Sequence, residues 1–581
     1  MSNPLRTAAA YVPLSLTRAA LNGALTTLPN KPQTSRFPAA VLFADISGFT
    51  PLTEALGRRG SEGPEELTRL LNRYFSWMIA FAEAEGGDVV KFGGDSLIVV
   101  YPAIDEPLSR ATRRAKQAAD SMRSAMEEFG VLESSVGLVA LKLKIGIGAG
   151  EIISAHIGGV EDRWEYIIAG DPLRQTAQAE RQAKQGEIIL SPEAEAVIDP
   201  DNLPPRSAFS LDWESIQNLG QTEKILRCYI PRPVRTWLDQ ELHEWLATLR
   251  PMSVLFASIK NFDYERPHAI QKLHTFLRGV QQIIYHFQGS LPRITVDDKG
   301  TVFLILFGAP PDAHEDDPER AVRCALDLQQ LAKKQKVQLA VGVTTGRVFA
   351  GPVGGDTRRE YTVMGDTVNL AARLMSLAGP GRICCNYEAY RSAYNQINFE
   401  YLPPTQIKGK VGLVPIYRPL GEYKPLEQLG RIQQTGSTDQ LVARQEVLAT
   451  LTKRLHEVKK GQSRLTIIEG EAGIGKSQLV NAVVRQARNY GLETLMGRGR
   501  SIEQDKKFRV WQDIFYGYFK LDQLSGFSLK MQQQVLNELS KVAPAMVDRA
   551  SLLNELLNLN IPESDYVSTL SPQERQDELI W

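Results

Sequence analysis

Residues 143–159 read LKIGIGAGEIISAHIGG, and residues 339–355 read LAVGVTTGRVFAGPVGG. Each is an apolar run broken by small residues and closed by a glycine pair, the pattern of a buried strand running into a turn. Working outward, the same neighbours recur in the same order. AAVLFADISG (39–48) and MSVLFASIKN (252–261) lie upstream, and YIIAGD (166–171) and YTVMGD (361–366) lie downstream. The period is about 200 residues, far beyond the 20–50 of a solenoid. The chain therefore holds two related domains.

Within each copy an apolar run of strand length is followed by a helical pattern, EELTRLLNRYFSWMIAFAEAEGG in the first. Two apolar runs around a turn come next, DVVKFGGDSLIVVY and RITVDDKGTVFLILFG, then a further helix and strand. Strands alternating with helices predict a mixed α/β domain. The first copy spans 36–232 and the second 251–420, with Pro231 and Pro233 at the junction. Residues 421–440 read as a linker, and a third unit occupies 441–581.

Composition excludes several classes. The 581 residues carry 67 Lys plus Arg and 67 Asp plus Glu, so there is no basic excess of the kind a general nucleic-acid binder needs. No apolar stretch is long enough for a transmembrane helix, and the N-terminus lacks the parts of a signal peptide. Four cysteines, Cys228, Cys324, Cys384 and Cys385, are too few and too irregular for a disulfide framework or a zinc site. A reducing, cytoplasmic setting is the expectation.

Asp45 ends the first strand of copy one, and Asp95 stands in the hairpin turn Gly93-Gly94-Asp95. Two carboxylates at adjacent strand ends, with the backbone carbonyl of Ile46, make a hard-oxygen set that suits two divalent cations. Either aspartate alone could equally serve as a helix cap or a turn residue.

FADISGFTPLTE, FGGDSLIVVY and YTVMGDTVNLAARL together resemble the class III nucleotide cyclase catalytic domain. The resemblance implies two ferredoxin-like α/β domains in a head-to-tail pair, with active sites at the domain interface. The tandem copies with a downstream nucleotide-binding module are similar to the bicarbonate-responsive soluble adenylyl cyclases. On this resemblance Asp45, Ile46 and Asp95 hold two Mg2+ ions, for which Mn2+ substitutes. Lys299 and Thr362 read the adenine, Asn369 orients the ribose, and Arg373 meets the α-phosphate. The second copy has Ser258 and Thr301 opposite the two aspartates. The first has Gly93, Ile167, Arg174 and Gln178 opposite Lys299, Thr362, Asn369 and Arg373. Each copy lacks what the other keeps, so an intramolecular pair makes one complete ATP site. Lys299 and Thr362 offer no acidic acceptor for guanine, which favours ATP over GTP.

The vacated second pocket is expected to take a regulatory anion, bicarbonate by resemblance. Lys91 matches the family's lysine, Ala177 stands where the family has an arginine, and Arg174 and Lys144 are the nearby cations.

The third unit contains the strand-like run Leu465–Glu469, then Gly470-Glu-Ala-Gly473-Ile-Gly475-Lys476-Ser477, then a helical pattern. Strand, glycine loop and helix in that order form a P-loop, whose backbone N–H groups and lysine cradle a second nucleotide. LVARQEVLATLTKRL resembles the entry to the signal-transducing STAND-type NTPases, so a partial P-loop α/β domain with a helical tail is expected. No apolar strand ending in paired acids follows residue 490, and the unit reads as incomplete. The leading expectation is an adenylyl cyclase. A guanylyl cyclase, and a non-catalytic switch driven by the P-loop, are the alternatives.

Overall fold

The structure is a computed structural model of the 581-residue chain. It describes residues 4–25, 27–29, 31–47, 52, 56, 62–94, 96–204, 219–239, 248–260, 262–297, 300–408, 410, 412–422, 445–470, 476–497, 499, 508–521, 528–557 and 559–580. Two compact units divide it: Met1–Ser392 with Glu400–Pro419, and Ala393–Phe399 with Leu420–Trp581.

The first unit holds both sequence copies, each as its own sheet. Copy one contributes β1 (Gln33–Ser47), β2 (Asp88–Phe92), β3 (Ser96–Pro102), a small separate hairpin of β4 (Val131–Ser134) and β5 (Gly137–Ala140), then β6 (Lys142–Val160), β7 (Arg163–Ala169) and β8 (Ile188–Leu190). The main sheet runs β2-β3-β1-β6-β7, with β8 parallel to β6. Copy two contributes β9 (Thr248–Ile259), β10 (Ser290–Asp297), β11 (Gly300–Phe307), β12 (Leu339–Gly354), β13 (Arg359–Met364) and β14 (Ile383–Cys385). Its eight-stranded sheet runs β10-β11-β9-β12-β14 and continues through β16 (Leu413–Glu422) to β15 (Ile397–Gln406), with β13 antiparallel to β12. The repeated segments thus take equivalent places. The helices are amphipathic and bury one face on the sheets; Leu71, Phe75, Met78 and Ala82 of the helix Glu62–Ala84 join the core beneath β1 and β3.

The copies pack head to tail. The turn of β6 and β7 lies on the helix Ala269–His286 of copy two: Gly158 N–H donates to His274 Nδ1 at 3.2 Å, and Gln281 Nε2 donates to the Arg163 carbonyl at 2.9 Å. Reciprocally, Gly354 N–H, at the turn of β12 and β13, donates to Asn72 Oδ1 on the helix Glu62–Ala84 at 3.1 Å. Matching surfaces used twice are the mark of a two-fold arrangement, here inside one chain. The N-terminal helices Pro4–Ala9 and Leu14–Leu21, with the turn between them, bury Leu5, Tyr11, Val12 and Leu16 against both copies. All four cysteines are free.

In the second unit the described residues from 445 onward are helical or without regular structure. The expected strand at 465–469 is not formed, and Leu465 and Ile467 are exposed. A strand needs a neighbour for its ladder bonds, and the described residues around it supply helices only. The linker lies outside the described residues from position 423. No described helix is long and apolar enough to cross a membrane.

Candidate functional site between the two copies

A cavity of about 410 Å³ opens between the two sheets, a size that suits a small-molecule ligand. From copy one its wall takes Asp45, Gly93, Gly94 and Ser96, together with Leu173, Ala177 and Arg181 of the helix Asp171–Gln182. From copy two it takes Val363, Met364 and Gly365, then Asn369 and Ala372 of the helix Asp366–Ala378, and Arg293, Thr295 and Val296 of β10.

Strand register explains the placement of the carboxylates. Asp45 is the last-but-two residue of β1 and pairs across to Ser96 on one side and Lys144 on the other. It is partly buried, while Ile46 beside it is buried. Asp95 lies outside the described residues; its neighbours Gly94 and Ser96 both line the cavity. In copy two Ser258 pairs with Val302, so Ser258 is the counterpart of Asp45 and Thr301 that of position 95. The donors present suit a hard divalent cation: a carboxylate and a strand-end carbonyl beside glycines that leave room for close backbone approach.

Asn369 and Arg373 lie four apart on one helix, hence on one face. Asn369 is on the cavity wall; Arg373 is partly buried, off the wall, and makes no ion pair or hydrogen bond among the described residues. Thr362 is buried in β13, and its Oγ1 finds no hydrogen-bond partner among the described residues. It shares a sheet face with Met364, two residues on, which lines the cavity. An orphaned buried hydroxyl on such a face invites a ligand partner.

Lys299 lies outside the described residues, and its assigned counterpart needs correction. Phe92 pairs with Leu97 in the first hairpin, and Ile294 with Phe303 in the second. Gly93 therefore corresponds to Thr295, not to Lys299. The second hairpin continues to Asp297 opposite Gly300, a longer arm that ungapped counting misses.

The expected regulatory cations are not gathered on this wall. Arg174 is exposed and pairs with Asp171 at 2.6 Å, and Lys144 reaches Glu180 at 3.3 Å. Lys91 is partly buried in β2; desolvation pulls its ammonium below its ordinary value, against the attraction of Glu360 and Glu165. Sequence reasoning missed Arg293, Arg358 and Glu360, which come from copy two to the backbone of β2. The cross-strand register makes Arg293 the counterpart of Lys91, and that register exists only in the folded structure.

In the P-loop, Gly470 and Lys476 are described, and Lys476 Nζ donates to the Gly470 carbonyl at 2.9 Å. Gly473 and Gly475 lie outside the described residues, as does the side chain of Ser477, which follows Lys476 at the start of the helix Lys476–Asn489.

The adenylate and guanylate cyclase catalytic domain model matches residues 33–223 and 247–418, more than half of the chain, and an AAA ATPase domain model matches residues 440–561. Adenylate cyclase type 10 of Oryctolagus cuniculus is 25% identical over 95% of this chain and 37% of its own length, and the Homo sapiens protein of that name gives the same figures. The chain thus spans a little over a third of the length of these relatives. A class III adenylyl cyclase-like ATP-binding protein from Pseudomonas aeruginosa is similar over 62% of this chain and 85% of its own, at 15% identity and a TM-score of 0.46. The adenylyl cyclase CyaB from P. aeruginosa covers 31% of this chain and 97% of its own, at 23% identity and a TM-score of 0.29.

Proposed function

The chain belongs to the adenylate and guanylate cyclase catalytic domain family, and on that premise we propose that it converts ATP to cyclic AMP and pyrophosphate at one composite site between its two copies. The observation that carries the proposal is that Asp45 of copy one and Asn369 of copy two line the same cavity, while their counterparts Ser258 and Arg174 are not on its wall.

In this reading Asp45, the Ile46 carbonyl and Asp95 hold two Mg2+ ions, with Mn2+ able to replace them. The bound cations would lower the charge on the phosphates and favour loss of the ribose 3′-proton. The protein's own groups do the positioning. Asn369 holds the ribose so that its 3′-oxygen faces the α-phosphorus in line with the departing pyrophosphate. Arg373, a fixed fork of donors with no other partner among the described residues, is available to the α-phosphate oxygens. Lys299 and Thr362 read the adenine ring; the unpartnered Thr362 Oγ1 supports its share of that role.

The P-loop of the second unit binds a further nucleotide and regulates the cyclase. The counterpart half of the interface, which lacks catalytic groups, is the regulatory pocket, with bicarbonate as the anion to test and Lys91, Arg174 and Lys144, none of them on the cavity wall, as its candidate cations. Four free thiols fit a reducing compartment, and we assign the cytoplasm.

The test is product analysis with the purified chain, ATP or GTP, and Mg2+ or Mn2+, with and without bicarbonate. Cyclic AMP from ATP alone, lost in Asp95→Ala, supports the assignment. Cyclic GTP as main product would move it to a guanylyl cyclase. ATP binding without turnover, abolished only by Lys476→Ala, would make the protein a P-loop switch.

A further inference from the structure

β2 is the edge strand of the first sheet, so alternate N–H and C=O groups along it point away from any ladder partner. They are nonetheless satisfied from copy two. Arg293 Nη1 donates to the Phe92 carbonyl at 2.6 Å, and Phe92 N–H donates to Glu360 Oε2 at 3.3 Å. Arg358 Nε donates to the Val89 carbonyl at 2.9 Å and its Nη2 to the Val90 carbonyl at 3.3 Å. All three side chains are buried, and the Arg358 guanidinium also lies over the Phe92 ring at 5.3 Å.

Phe92 is the last fixed point before the turn that carries Asp95. Gly93 and Gly94 follow, and Gly94 sits at φ +89°, a backbone freedom that glycine provides. Such a turn does not hold a carboxylate in place by itself. Both polar groups of the residue preceding it are gripped from across the interface.

The grip belongs to one half of the pseudo-two-fold only. The counterpart of Phe92 is Ile294, and those of Arg293 and Glu360 are Lys91 and Glu165. Among the described residues neither Lys91 nor Glu165 hydrogen-bonds the Ile294 backbone. The clamp is present on the hairpin that keeps its aspartate and absent on the one that lost it.

We propose that Arg293, with Glu360, is a positioning residue: copy two fixes the metal-binding turn of copy one through the Phe92 backbone. This deepens, and rests on, the reading of Asp45 and Asp95 as cation ligands. Pairing of the copies then does more than complete the ligand set, because it sets the geometry of a ligand that copy one already owns.

The test is equilibrium Mn2+ binding to the full chain by electron paramagnetic resonance, with saturating 3′-deoxy-ATP, which cannot cyclise. Arg293→Met is expected to weaken Mn2+ binding by about 10- to 100-fold, the usual effect of losing a group that orients a ligand. Arg293→Lys, which can still donate to the Phe92 carbonyl, recovers most of the loss. The affinity for 3′-deoxy-ATP in EDTA stays within about twofold of wild type, a difference under 0.5 kcal/mol. Glu360→Leu, which frees the Phe92 N–H, shifts Mn2+ binding in the same direction and covers the case of a poorly folding Arg293 variant. Unchanged Mn2+ binding in both variants overturns the proposal. So does an equal loss of nucleotide affinity in EDTA, since Arg293 would then be a nucleotide contact. Asp45→Asn run alongside separates the two claims: if it leaves Mn2+ binding intact, the carboxylate reading itself fails, whatever Arg293 does.

Discussion

Gly342 offers a sharp test of how the fold positions the site. It lies within β12 beneath the helix that carries Asn369 and Arg373. A Cβ built there would stand 2.2 Å from the Ala371 carbonyl oxygen and 2.3 Å from the Met375 amide nitrogen. Both are backbone atoms, so no side-chain rotation relieves the clash, and the helix must recede by about 1 Å to restore contact distance. A displacement of about 1 Å in positioning groups costs roughly 100-fold in rate. Gly342→Ala should therefore lower kcat for cyclic AMP formation about 100-fold, or about 2.7 kcal/mol. Gly146 is its counterpart, with Cβ contacts of 2.2 Å to the Thr176 carbonyl oxygen and 2.6 Å to the Glu180 nitrogen. That helix carries Arg174 and Gln178 where the other carries Asn369 and Arg373. Gly146→Ala should lose comparable stability in urea denaturation while kcat falls less than about tenfold. The assay is cyclic AMP formation at saturating ATP beside the denaturation curve of each variant. A folded Gly342→Ala enzyme with kcat within about threefold of wild type, or equal losses in both variants, refutes the reasoning.

Other perturbations have defined outcomes. Thr362→Val deletes an unpartnered buried hydroxyl, so stability should hold or rise by up to about 2 kcal/mol while kcat/KM for ATP falls about tenfold; unchanged kcat/KM would remove Thr362 from base reading. Asp317 is buried, and burial pushes its carboxyl up to about 7. The unfolded carboxyl titrates near 3.9, so this group's contribution is fully present below about pH 4 and is lost as pH rises through about 7. Asp317→Asn keeps an acceptor for the His314 N–H, now at 2.8 Å, so its stability gain over wild type in urea denaturation should be larger at pH 8 than at pH 5, and a pH-independent gap contradicts this. In the second unit, Lys476→Ala should lower nucleotide stoichiometry in equilibrium dialysis from two per chain to one; two remaining sites would place the second nucleotide elsewhere.

Much of the fold was legible because the chain states it twice. The glycine-spaced strands recur with Gly146 and Gly342 at matching positions, and the backbone clearances show why: any side chain there would collide with the helix above. The hairpins were readable from apolar runs around short turns. Their unequal length was not, because ungapped counting has no access to cross-strand register, and this misplaced the counterpart of Lys299. The clamp on Phe92 was also out of reach. Arg293 and Glu360 are ordinary charged residues in sequence, and their role exists only when chain segments some 200 residues and more apart meet. The run at 465–469 failed in the opposite sense: its composition suits a strand, but pairing partners decide whether a strand forms.

The composite site itself can be tested by comparing the two halves of the interface in one assay. Cyclic AMP formation from ATP would be measured for Asp45→Asn and Asn369→Ala, and for the counterpart changes Ser258→Ala and Arg174→Ala with bicarbonate omitted. The expected result is a loss of about 100-fold or more in each of the first pair and a change within about threefold in each of the second. Activity that survives Asp45→Asn and disappears in Ser258→Ala would place the chemistry in the other half and contradict the assignment.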